Sequence, residues 1–277
     1  MDVKRITTGI ILAGIAILAI FKLPTLYFNI FIGLIIFLST IEWCSLYGKK
    51  KLVWPFSLFA IIAVMSVGIL YFQKQSSLMH ILLEYLLYTS VIFWFLITFC
   101  MFCVRDAIRW KWAKCSDIMI PLGGVLFIFL WLGAGVAHAK SPFLLFYIVL
   151  CVSLTDTFAY FIGKAVGRHK LCPSISPKKT IEGLLGGIII AECFAIVLGY
   201  FLYTYQVLTK GTPNILALIM LIVIILSVAG DLFESIVKRQ CGVKDSGSIL
   251  PGHGGILDRV DSLLAALPVA MGLFYFL

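Results

Sequence analysis

The chain has 277 residues, of which 62% are hydrophobic and 13% are charged, and its formal net charge is +9 at pH 7. Soluble globular domains contain about 45 to 50% apolar residues, so this composition excludes an ordinary soluble domain. A mean hydropathy of +1.09 indicates an integral membrane protein instead.

Apolar runs long enough to cross a membrane recur along the whole chain. A helix needs about 20 apolar residues to span a hydrocarbon core of about 30 Å, and about nine runs meet this length. We therefore predict an all-α, polytopic membrane protein with about nine transmembrane helices. No segment of domain size remains between the runs, so residues 1–277 are interpreted as a single transmembrane domain. The runs lie near residues 6–21, 24–46, 52–72, 78–104, 118–139, 142–163, 183–207, 213–233 and 258–277.

The basic residues predict how these helices are oriented. Cytoplasmic loops of membrane proteins collect Lys and Arg, and nine spans place 18 of the 22 Lys and Arg residues on the side of the N-terminus. A missing or extra span would mix the two groups, so we expect a cytoplasmic N-terminus and a C-terminus outside. The charge of +9 then describes a basic cytoplasmic face, which suits anionic headgroups or soluble phosphates. Nucleic acid is not expected as a partner.

Ionisable residues inside predicted spans need an explanation, because an Asp at a helix centre costs about 2.5 to 3.5 kcal/mol. Asp156 lies eight residues before Lys164, hence about 12 Å along a helix from a basic cytoplasmic loop, and we interpret it as functional. Glu42 and Glu84 lie near predicted helix ends, and we interpret them as interfacial. His138 and Glu192 lack an identifiable partner, and we interpret them as structural.

The basic loop before the seventh span ends in a predicted helix start. Ser176 and Pro177 are typical of an N-cap and a first helical residue, which would place Lys178 and Lys179 in the first turn. Two cations are unfavourable at the positive end of a helix dipole, but a bound anion would reverse that penalty. We interpret the pair as a phosphate contact; the alternative is a topology signal that faces anionic lipid.

A polar run, residues 231–262, separates the last two apolar stretches. The eighth span ends at about Asp231 and the ninth begins at about Asp258, so both carboxylates are expected at the cytoplasmic membrane edge. Two carboxylates there form a hard oxygen site that matches Mg²⁺ held together with waters and substrate phosphates. Four nearby cations would neutralise phosphates: Lys238, Arg239, Lys244 and Arg259.

The segment Pro251-Gly-His-Gly-Gly255 precedes the predicted start of the last helix. Glycines let a backbone approach an anion closely, and a helix N-terminus attracts one. An ordinary polar loop with salt bridges would explain any one of these features, but it explains their co-occurrence poorly.

The stretch from Ser235 to Asp261, which includes Lys244-Asp245, Leu250-Pro251-Gly-His253-Gly-Gly and Asp258-Arg259-Val-Asp261, resembles the signature of the phosphatidate cytidylyltransferases, also called CDP-diacylglycerol synthases. Segments 156–164 and 175–183 resemble the same family, whereas the N-terminal spans match only in hydropathy. We therefore divide the chain into N-terminal helices that form a membrane scaffold, 1–140, and a catalytic half, 141–277.

The resemblance implies a membrane-bound nucleotidyltransferase of class EC 2.7.7 in phospholipid biosynthesis. It would convert CTP and phosphatidic acid into CDP-diacylglycerol and pyrophosphate. We assign Asp231 and Asp258 as Mg²⁺ ligands, with Asp261 and Asp156 as supporting groups or ligands of a second cation. The expected substrate contacts are Lys238, Arg239, Arg259 and Lys244 on phosphates, Ser235 and His253 as orienting groups, and Lys178 and Lys179 on the triphosphate or lipid headgroup.

We expect a multi-pass protein of the plasma membrane, a bacterial inner membrane, with its site on the cytoplasmic face and the lipid bilayer as a partner. The resemblance alone suggests a homodimer. Two alternatives stay open. A CTP-dependent polyprenol or phytol kinase would transfer the terminal phosphate and release CDP. An anion transporter would need polar residues along a path across the bilayer, whereas these charges crowd one face.

Overall fold

The computed structural model describes residues 3–48, 77–103, 111–206 and 212–275. A single turn of 3-10 helix, Lys111–Lys114, and a short antiparallel hairpin accompany the helices. The strands of the hairpin are β1, Lys170–Cys172, and β2, Ser176–Thr180. The helices are α1 Val3–Lys22, α2 Thr25–Leu46, α3 Ser77–Cys103, α4 Ser116–Lys140, α5 Pro142–Val166, α6 Ile181–Thr204, α7 Pro213–Gln240, α8 Leu257–Val260 and α9 Leu263–Tyr275.

The predicted all-α membrane class is confirmed. Within the described ranges, helices α2 to α7 each contain a segment long and apolar enough to cross a membrane, and the apolar part of α1, Thr7–Lys22, is shorter. The predicted span at 52–72 lies outside the described residues. The count of nine spans and the sidedness of the termini stay predictions.

Helices α4 and α7 form the interior of the bundle. In the apolar segments of α4 and α7, 67% and 61% of the residues are buried, whereas 22% are buried in the apolar segment of α6. Lipid tails are as apolar as these side chains, so packing and interhelical hydrogen bonds hold membrane helices together. The indole of Trp43 donates to the Met119 carbonyl at 2.8 Å, and the Tyr147 hydroxyl donates to the Ala195 carbonyl at 2.8 Å.

A stripe of small residues brings α6 against α5. Gly183, Gly187, Ala191, Ala195 and Gly199 recur at every fourth position and are all buried. A Cβ atom on Gly187 would lie 2.6 Å from the carbonyl oxygen of the α5 residue before Asp156, too close for any real contact. The small size of these residues therefore lets α6 pack closely against the helix that carries Asp156.

The bundle has two chemically different ends. At one end, Thr8 of α1 lies 2.6 Å from the ring of His253, and Lys179 of β2 forms an ion pair with Asp231 of α7. At the other end, Lys140 lies over the Tyr275 ring. The opposite end also holds His138, which lies 3.0 Å from the Ile20 carbonyl oxygen and stacks on Phe28, in agreement with its structural interpretation. The predicted functional residues gather at the first end.

The predicted start of the helix at Pro177 is wrong. Residues Ser176–Thr180 pair with β1 as an extended strand, and α6 begins at Ile181. Thr180 is the N-cap, because its hydroxyl accepts a hydrogen bond from the Gly183 amide at 3.2 Å. Both Ser176 and Thr180 are suitable N-caps, and pairing with β1 selects the second.

The last predicted helix is interrupted. The chain turns at Asp261 and Ser262 between α8 and α9, where a continuous helix from 258 was expected. Gly230 of α7 lies beneath this turn, because a Cβ atom there would come within 2.8 Å of the Asp261 carbonyl oxygen. The break places Asp258 and Asp261 before the apolar helix α9.

The α5–α6 contact makes a stability prediction. We expect Gly187→Ala to destabilise the protein by about 1 to 3 kcal/mol, the usual cost of overpacking, and to lower the midpoint of thermal unfolding in detergent. Gly14→Ala is the matched control, because a Cβ at Gly14 meets nothing within 4 Å. Equal midpoints for the two variants would contradict close packing between α5 and α6.

Candidate active site

A cavity of about 620 Å³ opens at the end of the bundle where α5, α7 and α8 meet the hairpin. Cavities of about 300 to 1,000 Å³ are typical of small-molecule sites. Its lining combines both signs of charge, as a metal and phosphate site requires. The charged lining residues are Asp156, Asp231, Asp258, Asp261, Lys164, Lys170, Lys178, Lys179 and Arg259.

One face of α5 forms a wall of this cavity. Thr155, Asp156, Ala159, Tyr160 and Gly163 line it, and their spacing of one, three and four residues corresponds to one helical face. The hairpin packs directly on this face, because a Cβ atom on Gly163 would lie 2.8 Å from the hydroxyl of the α6 N-cap. Helix α5 therefore presents its carboxylate towards the hairpin lysines.

Lys179 and Asp231 form an ion pair across the cavity. The hydroxyl of Ser235, one turn further along α7, lies 3.4 Å from the other Asp231 oxygen. Burial lowers the pKa of Lys179, but the neighbouring Asp231 carboxylate outweighs burial, so the Lys179 pKa lies above its ordinary value. Lys179 therefore stays charged and compensates Asp231.

Asp258 is fully engaged by donors from this chain. Its oxygens accept hydrogen bonds from Lys238 at 2.6 Å, from the Ser246 amide at 3.0 Å and from the Gly255 amide at 2.7 Å, and the Ser246 hydroxyl oxygen lies 3.1 Å away. Burial raises its pKa, but Lys238 and the backbone amides outweigh burial and hold the Asp258 pKa below its usual range. Lys238 also pairs with Glu234, a fully buried residue one turn earlier on α7.

Asp261 belongs to a second group of carboxylates. The Ser262 hydroxyl lies 3.2 Å from Asp156 and 3.4 Å from Asp261, so it links the two. Burial, followed by the nearby charges of Asp231, Glu234 and Asp156, raises the pKa of Asp261 well above its ordinary value. Like charges this close favour a bound cation or a shared proton.

The donor set fits a metal that the substrate helps to bind. In the part of the chain that the structure describes, no three His, Cys, Asp or Glu side chains are placed to hold one ion by themselves. Mg²⁺ usually binds through one or two carboxylates together with waters and substrate phosphates. Asp231 and Asp261 both line the cavity, and the charge of Asp231 acts on Asp261. These two carboxylates match that pattern.

Glu42 has a role that the sequence analysis missed, and its interpretation as an interfacial residue is wrong. Its side chain is 3% exposed. Its oxygens accept hydrogen bonds from the amides of Ile256 and Leu257 at 3.0 and 2.8 Å and from the Ser246 hydroxyl at 2.9 Å. The only sequence signal was a carboxylate near the end of an apolar span, which does not name its partners.

The backbone expected to bind an anion before the last helix already has partners. The Gly255 amide donates to Asp258, and the two following amides donate to Glu42. Carboxylates of this chain thus take the place predicted for a phosphate. The positive φ values of Gly252 and Gly254 shape the turn instead, with Leu250 and Gly254 forming an isolated antiparallel bridge.

Five predicted substrate contacts lie outside the cavity lining: Ser235, Lys238, Arg239, Lys244 and His253. Arg239 donates to the carbonyl of Ile175 at 3.0 Å, which ties the end of α7 to the hairpin. His253 contacts Thr8, and Lys244 is exposed in the loop after α7. Their roles with substrate stay predictions.

Two cavity lysines were not among the predicted site residues. Lys164 lies at the end of α5 and Lys170 begins β1, and both line the cavity. Glu182 of α6 holds the turn between them, accepting hydrogen bonds from the amides of Arg168 and His169 at 3.0 and 3.2 Å. The basic composition of this loop was visible in the sequence, but the turn that directs two of its lysines inwards was not.

Similarity to known proteins covers nearly the whole chain. Residues 3–277 match the model of the cytidylyltransferase family. The phosphatidate cytidylyltransferase of Haemophilus influenzae is 33% identical over 99% of this chain and 98% of its own length. That of Pseudomonas aeruginosa is 33% identical over 98% of this chain and 96% of its own length. That of Staphylococcus haemolyticus is 52% identical over 44% of this chain and 45% of its own length.

The hydrogen bonds of Asp258 predict a pH-dependent stability. A depressed carboxyl pKa stabilises the folded state above the unfolded-state pKa, about 3.9, and that contribution is lost as the pH falls through the folded-state pKa. Asp258→Asn should therefore lower the midpoint of thermal unfolding near neutral pH. As the pH is lowered, the midpoint of the variant should decrease less than that of the unchanged protein. Asp117→Asn, an exposed carboxylate at the start of α4, is the control. A profile for Asp258→Asn parallel to that of the unchanged protein would contradict the depressed pKa.

Proposed function

The chain belongs to the cytidylyltransferase family, and we propose on this premise that it converts CTP and phosphatidic acid into CDP-diacylglycerol and pyrophosphate. The observation that carries the proposal is the cavity at one end of the membrane helices, where four aspartates and five cations line the same space. A nucleotidyltransferase needs this combination, since phosphoryl transfer depends mainly on positioning and charge neutralisation.

The proposed reaction forms one bond and breaks one. An oxygen of the phosphatidic acid phosphate attacks the α-phosphorus of CTP, and the bond from that phosphorus to the β-phosphate oxygen breaks. The electron pair leaves with pyrophosphate. A phosphate monoester is already anionic at neutral pH, so the attacking oxygen needs little help from a general base. The protein has to bring two anions together and stabilise the charge of the leaving group.

The cations of the cavity suit that task. Lys164, Lys170, Lys178 and Arg259 lie along its lining, where they can hold the phosphates of both substrates. Lys179 pairs with Asp231 in the structure, and we propose that a bound triphosphate offers this lysine a second anion. The carboxylate of Asp231 then gains freedom to bind a cation.

We propose Mg²⁺ as the metal, with Asp231 as one ligand. When bound, it would neutralise phosphate charge and polarise the α-phosphorus. Asp261 is the better second ligand, because Asp258 already accepts hydrogen bonds from Lys238, Ser246 and Gly255. The prediction of Asp258 as a ligand stays untested, and it would require Asp258 to give up part of this network. Asp156 lies close enough to Asp261 to support it or to bind a second cation.

The surroundings of the cavity suit a lipid substrate. Tyr160 lines the cavity and is exposed, as are Phe161 on α5 and Leu185 on α6. Acyl chains could stay beside these apolar faces in the bilayer while the headgroup enters the cavity. We further propose that the site faces the cytoplasm at the plasma membrane, because Lys and Arg collect in cytoplasmic loops and CTP is supplied from the cytoplasm. A homodimer rests on the family resemblance alone.

Labelled CTP tests the reaction. In proteoliposomes that contain phosphatidic acid, label from the α-phosphate should enter lipid, with one pyrophosphate released for each labelled lipid. Diacylglycerol in place of phosphatidic acid is the matched control and should give no labelled lipid. Label that enters lipid only from the γ-phosphate would contradict the proposal and favour a lipid kinase. Anion flux without CTP turnover would favour a transporter.

The metal assignment has its own test. Chelation with EDTA should abolish turnover and added Mg²⁺ should restore it. Asp261→Asn should raise the Mg²⁺ concentration for half-maximal turnover by at least about 10-fold, since loss of a group that only orients a metal ligand already costs about 10- to 100-fold, while Asp258→Asn lowers turnover without a comparable shift. Asp117→Asn should match the unchanged protein. A shift for Asp258→Asn but not for Asp261→Asn would instead support Asp258 as the ligand.

A further inference from the structure

The loop between α7 and α8, residues 241–256, contacts the N-terminal half of the protein through Thr8 of α1 and through the buried side chain of Glu42. Glu42, on α2, accepts three hydrogen bonds from this loop and the residue after it, through the amides of Ile256 and Leu257 and the hydroxyl of Ser246. All three partners are donors, and a carboxylate offers only acceptors. The hydrogen-bond donors around Glu42 therefore match a carboxylate.

Ser246 connects Glu42 to the cavity. Its hydroxyl oxygen lies 2.9 Å from a Glu42 oxygen and 3.1 Å from an Asp258 oxygen. A hydroxyl has one hydrogen, so it donates to one carboxylate at a time and the two carboxylates compete for it. Glu42 also holds Leu257, the residue directly before Asp258. Displacement of Glu42 would therefore shift Asp258 through both Ser246 and Leu257.

Two glycines of the loop are shaped around Glu42. A Cβ atom on Gly247 would lie 2.5 Å from one Glu42 oxygen, and its three nearest atoms all belong to Glu42. A Cβ atom on Gly255 would lie 2.4 Å from the other Glu42 oxygen and 2.1 Å from the Ser246 hydroxyl. Neither glycine requires a positive φ. Contact with Glu42 therefore explains Gly247 as a glycine, and this contact and Ser246 together explain Gly255.

We propose that Glu42 is a positioning residue for the transfer reaction. It holds the α7–α8 loop so that Asp258 stays hydrogen-bonded to Lys238 at the wall of the cavity. Helix α2 is then part of the active-site architecture as well as of the membrane scaffold. This inference rests on the proposed function, since its readout is cytidylyl transfer.

Glu42→Gln is the direct test. One Glu42 oxygen accepts from the Ile256 N–H and the other from the Leu257 N–H. In either orientation, the NH2 group of the new side chain would therefore face a backbone N–H donor, and one of these two hydrogen bonds would be lost. We expect the variant to be recovered as folded protein, with kcat lowered by about 10- to 100-fold, the usual effect of removing a group that orients active-site residues. KM for CTP should change little, because Glu42 does not line the cavity. Glu84→Gln on α3 is the matched control and should keep full activity.

The outcomes separate positioning from stability. A normal kcat for Glu42→Gln overturns the proposal. Failure to recover folded Glu42→Gln also overturns it, because Glu42 would then serve the stability of the bundle. Absence of cytidylyl transfer in the unchanged protein would instead reject the proposed function, which keeps the two failures distinct.

A double-mutant cycle with Gly247 adds a readout that general destabilisation would not produce. Gly247→Ala alone should lower kcat, because its methyl group displaces the Glu42 carboxylate. In a Glu42→Ala background, Gly247→Ala should lower kcat very little, because the carboxylate atoms that its methyl group would contact are absent. Losses that multiply in the double variant overturn the proposal. If either variant of the cycle is not recovered folded, the Glu42→Gln result decides.

Discussion

The structure depends on the neutralisation of charge at the end of a membrane bundle. A carboxylate inside a bundle is costly unless it meets a cation or several donors, and helix α7 carries two of them, Asp231 and Glu234, within one turn. Lys179 from the hairpin compensates the first, and Lys238 from the same helix compensates the second. Lys238 also binds Asp258, so one cation joins α7 to the start of the last helices.

This pairing explains why so much backbone is arranged around a few side chains. The hairpin brings Lys179 to Asp231, and the hairpin is itself held by the α6 N-cap, Thr180, and by Glu182. Helix α6 can lie close enough to α5 because Gly183 and Gly187 have no side chains. Packing deep in the bundle thus determines where a cation stands at its surface.

The same arrangement leaves two kinds of carboxylate with different surroundings. Asp258 is surrounded by donors of the chain, which lower its pKa and suit it to hold structure. Asp261 is buried and has carboxylates nearby, and both raise its pKa; this is the aspartate that we propose as a cation ligand. Both aspartates belong to one short motif, Asp258-Arg259-Val-Asp261, in which the sequence analysis predicts Asp258 as the Mg²⁺ ligand and Asp261 as a supporting group or second-cation ligand. The distinction comes from Ser246 and Gly255 on one side and from Asp156 and Asp231 on the other.

By itself, the sequence determined the membrane class, the family resemblance and most of the charged residues around the cavity, because composition, helix length and motif spacing are local properties of the chain. It placed the start of α6 incorrectly, because Ser176 and Thr180 are both suitable N-caps. Pairing of Ser176–Thr180 with β1 excludes Ser176 as the cap. The sequence also contained no sign of the role of Glu42, whose partners Ser246 and Ile256 lie 204 and 214 residues away. Only the tertiary structure decided those points, because hydrogen bonds between distant segments depend on how helices pack and not on the residues beside them in the chain.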